Sequence, residues 1–250
     1  MERMRIAGAV RAGVAAAACG VLLTTVAACG ADDGSATSGA RRSDDGAHTD
    51  AARRTDSKTI PDVGARYQKQ IPANSRQVVA VYGDGKNSAD STIVVYTKSG
   101  DTWKKARSWS GHNGKKGWTT NHREDDKRSP VGVFTLSDAG GVLADPGAKL
   151  PYTQTASIQA PHYWAKSHWH DFDYVIAIDY NRVKGTAPND PTRPQGQTKG
   201  GSIWLHMDHG SGTSACVSQS KANMEYLLKT LDPAQHPVVV MGDKAELAAT

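Results

Sequence analysis

The chain has 250 residues, 38% of them hydrophobic, which is enough for one domain with a real core plus flexible appendages and leaves little room for a second full domain. Its formal charge of +5 is small and not clustered, and no basic helix or nucleic-acid motif accompanies it. That balance argues against a nucleic-acid partner and fits polyanionic surroundings such as anionic lipid or cell-wall polymer.

Taken in chain order, Arg3, Arg5 and Arg11 precede an apolar run over residues 12–28 made of Ala, Val and Leu with a little Gly and Thr. This reads as a bacterial export signal, residues 1–28. The run ends Val26-Ala27-Ala28-Cys29-Gly30, which resembles the lipobox of bacterial lipoproteins, so Cys29 is the expected lipidation site and the expected location is the outer face of the cell membrane. The alternative is an uncleaved anchor, for which the run is somewhat short. From residue 30 to 59 there is no Val, Ile, Leu, Met, Phe, Trp or Tyr. Residues 29–59 are therefore expected to be a disordered tether, with an r.m.s. reach of roughly 30 Å.

The folded domain is expected over residues 60–250. Two β-rich runs, 76–82 and 91–98, are joined through Gly83-Asp84-Gly85-Lys86-Asn87 and predict paired strands. Further strands are expected at 102–109, 131–136, 174–180, 202–206 and 238–241. Residues 184–200, with Pro188, Pro191 and Pro194, read as a long loop, a common form for a lid or substrate wall. Residues 220–231 place Met224, Leu227, Leu228 and Leu231 on one helical face, with Ser218 or Ser220 as cap and Asp232-Pro233 as the stop. The fold class is mainly β with a short helix.

Cysteine arithmetic then isolates one thiol. Cys19 leaves with the signal and Cys29 takes the lipid, so the mature chain keeps Cys216 without an internal disulfide partner. The stretch from Gly201 to Ser218 runs an apolar strand into His206, then His209-Gly210-Ser211-Gly212, then Thr213-Ser214-Ala215-Cys216. A histidine beside a thiol supplies the base that a group of pKa about 8.5 needs at neutral pH. Small residues let backbone N–H groups converge on an acyl oxygen, and a helix start just after Cys216 would favour negative charge there.

This pattern resembles the catalytic domain of the L,D-transpeptidase (YkuD-type) family, whose signature is a strand-borne His followed by a glycine-rich loop and a Ser/Gly-rich Cys motif. The likeness spans about residues 76–242, and the run from Arg123 through Arg128-Ser129-Pro130-Val131-Gly132-Val133-Phe134 is similar to that family's "GD-x-R-T-P-x-G-x-F" segment. The resemblance implies a β-sandwich with a short helix. It implies Cys216 as nucleophile, His206 as base, and the amides of Ser214, Ala215 and Cys216 as oxyanion donors. The reaction implied is acyl transfer between peptidoglycan peptide stems, forming 3→3 cross-links with release of D-Ala and needing no metal or organic cofactor. Many members have Ser-His-Gly-Cys followed by a hydrophobic residue and Arg or Asn, whereas Val217-Ser218 follow Cys216. The donor carboxylate therefore needs another cation, and Arg128 is the expected substrate contact, with Arg123 or Lys199 as alternatives.

Several readings stay open. His209 competes with His206 as base; His206 is preferred because it ends a strand while His209 lies in the segment expected to be mobile. His162, His168, His170, His206 and His209, with Cys216, invite a zinc reading, but their spacing does not demand a tetrahedral site. Trp118, Trp164 and Trp169 either line a groove or simply pack. A cysteine hydrolase of the same stems and a wall-binding lipoprotein with an inert Cys216 are the competing functions.

Overall fold

The structure, a computed structural model, describes residues 57–250. The export signal, Cys29 and nearly all of the tether lie outside the described residues. Ser57, which the sequence places in the tether, bridges Trp103 through both backbone hydrogen bonds.

The first two β-rich runs pair as their alternation requires. Strands β1 (Gln77–Gly83) and β2 (Asp90–Ser99) form an antiparallel ladder in which Val79 faces Val95 and Val81 faces Ile93. Strand β3 (Thr102–His112) continues the meander, with a register shift opposite Val95 and Tyr96. After a short parallel pair, β4 (Trp118–Thr119) with β5 (Ser129–Pro130), come β6 (Gly132–Gly141), β7 (Tyr152–Gln154), β8 (Val175–Ile178), β9 (Trp204–Met207), β10 (Val217–Gln219) and β11 (Val238–Asp243).

The main sheet runs β11-β1-β2-β3-β10-β9-β8-β6-β7, and a further pairing of β11 with β6 closes it into a barrel-like form. Strand β6 makes closure possible by serving two neighbours. Its Gly132–Thr135 half pairs with β11, and after an irregularity between Leu136 and Ala139 the remainder pairs with β8. A strand that bends at such a point can turn a corner, and closure leaves fewer unpaired backbone groups at edges. The mainly β expectation is met, with the main strands in one closed sheet.

Both faces of β1 are buried, which is why it reads as a nearly continuous apolar run rather than an alternating one. Val79 and Val81 face a core shared with Ile93, Leu136, Ile176, Leu205, Val217 and Met241. Val78, Ala80 and Tyr82 face a second core, closed by the N-terminal residues Ile60 and Val63, by Tyr67 of α1 (Ala65–Gln68) and by Leu247 of α3 (Lys244–Leu247).

Helix α2 (Lys221–Thr230) presents the expected stripe, with Met224, Leu227, Leu228 and the following Leu231 fully buried in the first core. Ser220, not Ser218, is its cap, its hydroxyl accepting from the Asn223 amide. The helix does not begin directly after Cys216. Val217, Ser218 and Gln219 first extend as β10, parallel to β9, so Cys216 lies a strand away from the helix start and the helix dipole adds little at the sulfur. Three residues pairing against an apolar strand outweigh the helical pattern that follows them.

Candidate active site

Parallel pairing of β9 with β10 sets Leu205 against Val217, His206 against Ser218 and Met207 against Gln219. Side chains alternate along a strand, so Leu205 and Val217 point into the first core while Trp204 and His206 of β9 and Ser218 of β10 take the opposite face. Cys216 sits in the bend immediately before β10, its sulfur 3.4 Å from the Trp204 amide of β9, and it lines the same cleft as His206. Ser218 is held close to β3 by Gly111, where a Cβ would stand 2.4 Å from the Ser218 carbonyl oxygen.

A cleft of about 640 Å³ opens over this face. Its lining includes Cys216, His206, Ser214, Lys115 and, from one irregular segment, Trp164, His168, Asp171 and Phe172. The segment is anchored from both sides: Asp171 accepts a backbone hydrogen bond from Met207, and Phe172 packs edge-on against Trp204 and His206. Residues 184–200 contribute nothing to the lining. They serve from behind, the Pro188 carbonyl accepting from the Trp204 indole and Arg193 holding the Ser202 hydroxyl at 2.6 Å. The wall of the cleft is therefore the 164–172 segment and not the proline-rich loop.

Cys216 is half-buried. Its sulfur accepts from the Trp204 amide at 3.4 Å and its thiol donates to the Ser202 carbonyl at 3.4 Å. Ser202 adopts φ +51, an uncommon conformation for a residue with a Cβ, costing about 1–2 kcal/mol, which Arg193 helps to hold. Burial pushes the Cys216 thiol up to about 12, the Trp204 amide pulling the other way and the Asp171 carboxylate adding to the rise. The resting group is thus a thiol, its proton on the Ser202 carbonyl.

His206 is buried, and its Nδ1 donates to the Met207 carbonyl at 2.7 Å. With the proton on Nδ1, the neutral ring carries its lone pair on Nε2, the nitrogen available as a base. Burial holds this imidazole below the ordinary histidine value, against upward pulls from Asp171, the Met207 carbonyl and Asp208. The adjoining loop is tied down by Asp208, which accepts from Ser218 at 2.6 Å, from His112 at 2.8 Å and from the Gly210 amide. Burial alone would raise its carboxyl, but these donors and the His112 charge outweigh it and hold the group below the usual carboxylate range.

Two hydroxyls orient the peptide planes on either side of Cys216. Ser129 Oγ donates to the Ala215 carbonyl at 2.7 Å, and Thr213 Oγ1 donates to the Cys216 carbonyl at 2.7 Å. Because a trans peptide sets N–H opposite C=O, the Cys216 amide points away from Ser129. Ser214 lines the cleft, while Ala215 is buried in the first core.

Other expected site residues fall elsewhere. Arg128 donates to the Asn87 side chain at 2.8 Å and to the Trp118 carbonyl, pinning the β4–β5 region, and is absent from the cleft lining. Arg123 and Lys199 do not line it either; the basic side chain that does is Lys115, which no motif marked. Trp118 is a fully buried packing residue, and of the three tryptophans only Trp164 lines the cleft. His209 does not dangle from its loop: its side chain is 5% exposed, its ring lies 4.1 Å from that of His168, and it stacks parallel to His206 at 6.5 Å. His162 stacks on Trp169 and His170 pairs with Asp173, so neither joins the cleft group. Asp171, the carboxylate at the centre of that group, was invisible to motif reasoning because only folding brings it to β9.

No known family profile and no curated protein matches this chain. Among solved structures, Bd1075 of Bdellovibrio bacteriovorus aligns at 15% identity over 70% of this chain, with a TM-score of 0.38. The chain covers 52% of that protein's length, and a likeness this weak carries no argument about activity.

The protonated resting thiol has a direct consequence. Alkylation of Cys216 by iodoacetamide should quicken about tenfold per pH unit from pH 7 to 10, with no levelling near 8.5, since each unit below the thiol's pKa leaves about a tenth of the thiolate. A plateau already reached at pH 7 would reveal a resident thiolate–imidazolium pair instead.

Proposed function

We propose that this protein is a cysteine acyltransferase of the L,D-transpeptidase kind, acting on peptidoglycan stems, and that its closed β sheet is that family's catalytic fold. The observation that carries the reading is that Cys216, immediately before β10, and His206, on the adjacent parallel strand β9, line one open cleft. Cys29 would anchor the mature chain by lipid to the outer face of the cell membrane, with the tether carrying the domain toward the wall.

In this reading substrate entry turns the thiol from the Ser202 carbonyl toward His206 Nε2, which takes its proton. The sulfur attacks the carbonyl carbon of the stem's third residue, with the Cys216 amide donating to the developing oxyanion. The C–N bond to the terminal D-Ala breaks, and the imidazolium returns its proton to the departing amine. An amine from a second stem then attacks the thioester, gives a proton to His206 and leaves as the cross-linked product, while the sulfur regains its proton. No step asks for a metal or cofactor.

Lys115 takes the role first assigned to Arg128, holding the donor's terminal carboxylate as a point charge. Lys115→Ala should raise KM about tenfold with kcat little changed, the signature of lost ground-state binding, whereas Arg128→Ala should leave both near wild type. The reading itself is tested by incubating the protein with a disaccharide-tetrapeptide and weighing the products. A cross-linked dimer with free D-Ala is expected. A tripeptide alone would assign a hydrolase with the same thioester, and unchanged substrate would leave only a wall-binding role.

A further inference from the structure

We propose that His168, Asp171 and His209 form a binding site for one zinc-class divalent cation on the wall of the cleft. The inference rests on these three side chains and stands whether or not Cys216 performs acyl transfer.

The three residues offer ligand atoms that all lie within 4.8 Å of one another. Both Nδ1 atoms stand 3.0 Å from the same carboxylate oxygen, Asp171 Oδ2. In a tetrahedral zinc site with bonds of about 2.0–2.1 Å, neighbouring donor atoms sit roughly 3.3 Å apart, so the two nitrogen–oxygen spacings need open by only a few tenths of an ångström.

The two imidazoles are not equivalent, and the difference points to a ligand. His168 Nδ1 makes a well-formed hydrogen bond to Oδ2. His209 Nδ1 is equally near but forms none, and both of its ring nitrogens are buried without a hydrogen-bond partner, the side chain being only 5% exposed. Buried polar atoms in native proteins are nearly always satisfied, and one left over calls for an ion or water. A cation taking the place of the His168 proton would serve both rings at once.

The chemistry of the set selects the ion. Two neutral imidazoles and one carboxylate match zinc and its first-row neighbours, whereas magnesium and calcium prefer all-oxygen ligands. The Met207 amide of β9 donates to the Asp171 backbone carbonyl and so fixes the main chain that carries the carboxylate, and His168, 32% exposed, leaves a way in from the cleft. Three protein ligands leave a fourth position for water or another small donor.

The test is titration of the tag-free full chain with zinc alone, followed by calorimetry and thermal unfolding. One zinc per chain is expected, with a zinc-dependent rise in Tm that magnesium does not reproduce. Affinity should fall by more than about tenfold in His168→Ala and in Asp171→Asn. His168 is partly exposed, so its removal spares the fold and keeps the test valid if Asp171→Asn unfolds. Cobalt should give the visible absorption of a tetrahedral site, kept in Cys216→Ala and lost in His168→Ala. Absence of stoichiometric binding overturns the proposal, as does binding indifferent to His168→Ala or cobalt absorption that vanishes with Cys216.

Discussion

With Cys216 replaced by alanine, release of D-Ala from a disaccharide-tetrapeptide should fall by about 10³-fold or more, and a carbapenem should leave no adduct on the protein by mass spectrometry. Cys216 is the only free cysteine among the described residues, and its sulfur already accepts a backbone amide at the floor of the cleft. Removing it deletes the atom that forms the thioester, so residual turnover can come only from binding and oxyanion donors. Cys216→Ser should be nearly as inactive. A hydroxyl is a far weaker acid than a thiol, and a base whose pKa burial has lowered pulls poorly on it. The two variants together separate nucleophile from shape, since serine keeps the packing that the cysteine makes against the small apolar cluster containing Trp204. An adduct surviving in either variant would move the acylation site elsewhere and end the reading.

His206→Gln should lower kcat/KM by roughly 10²–10⁴-fold, the range of a positioned general base. Glutamine can still donate a hydrogen bond to the Met207 carbonyl but cannot take up a proton at working pH, so local structure should survive while proton transfer is lost. The pH profile gives the sharper readout. Burial disfavours the imidazolium, which keeps the ring neutral and competent below the usual histidine value of about 6.5. The wild-type acidic limb should therefore fall only below that pH, and the glutamine variant should lack the limb altogether. His209→Gln serves as the comparison. If it removed the limb while His206→Gln kept it, the roles of the two histidines would be exchanged.

Much of the fold is legible in the sequence alone, for reasons that are local. The runs that became β1, β2 and β11 are β-branched and apolar, and no other element accommodates such residues as well. The stripe from Met224 to Leu231 has helical spacing and a proline behind it, so α2 followed with an error of about one residue at its ends. The three residues of β10 were missed because a strand so short has no periodicity of its own and exists only against β9. That miss also removed the helix dipole from the account of Cys216, leaving the Trp204 amide and His206 to handle its charge.

The sequence by itself determined that one thiol follows a strand-borne histidine through a loop of small residues, in a mainly β chain with a single amphipathic helix of any length. It could do so because nucleophile, base and loop lie within eleven consecutive residues, and short-range spacing survives any tertiary arrangement. What surrounds the thiol was decided only by folding. Lys115, the adjacent pair Asp171 and Phe172, and Ser202 come from three separate parts of the chain, and residues 164–172 replaced the proline-rich loop as the wall of the cleft. Arg128 was drawn off to Asn87 and Trp118, while His209 was buried against Asp171. Contacts of this kind depend on which strands become neighbours when the sheet closes through β6 and β11, a long-range outcome that no local pattern of residues encodes.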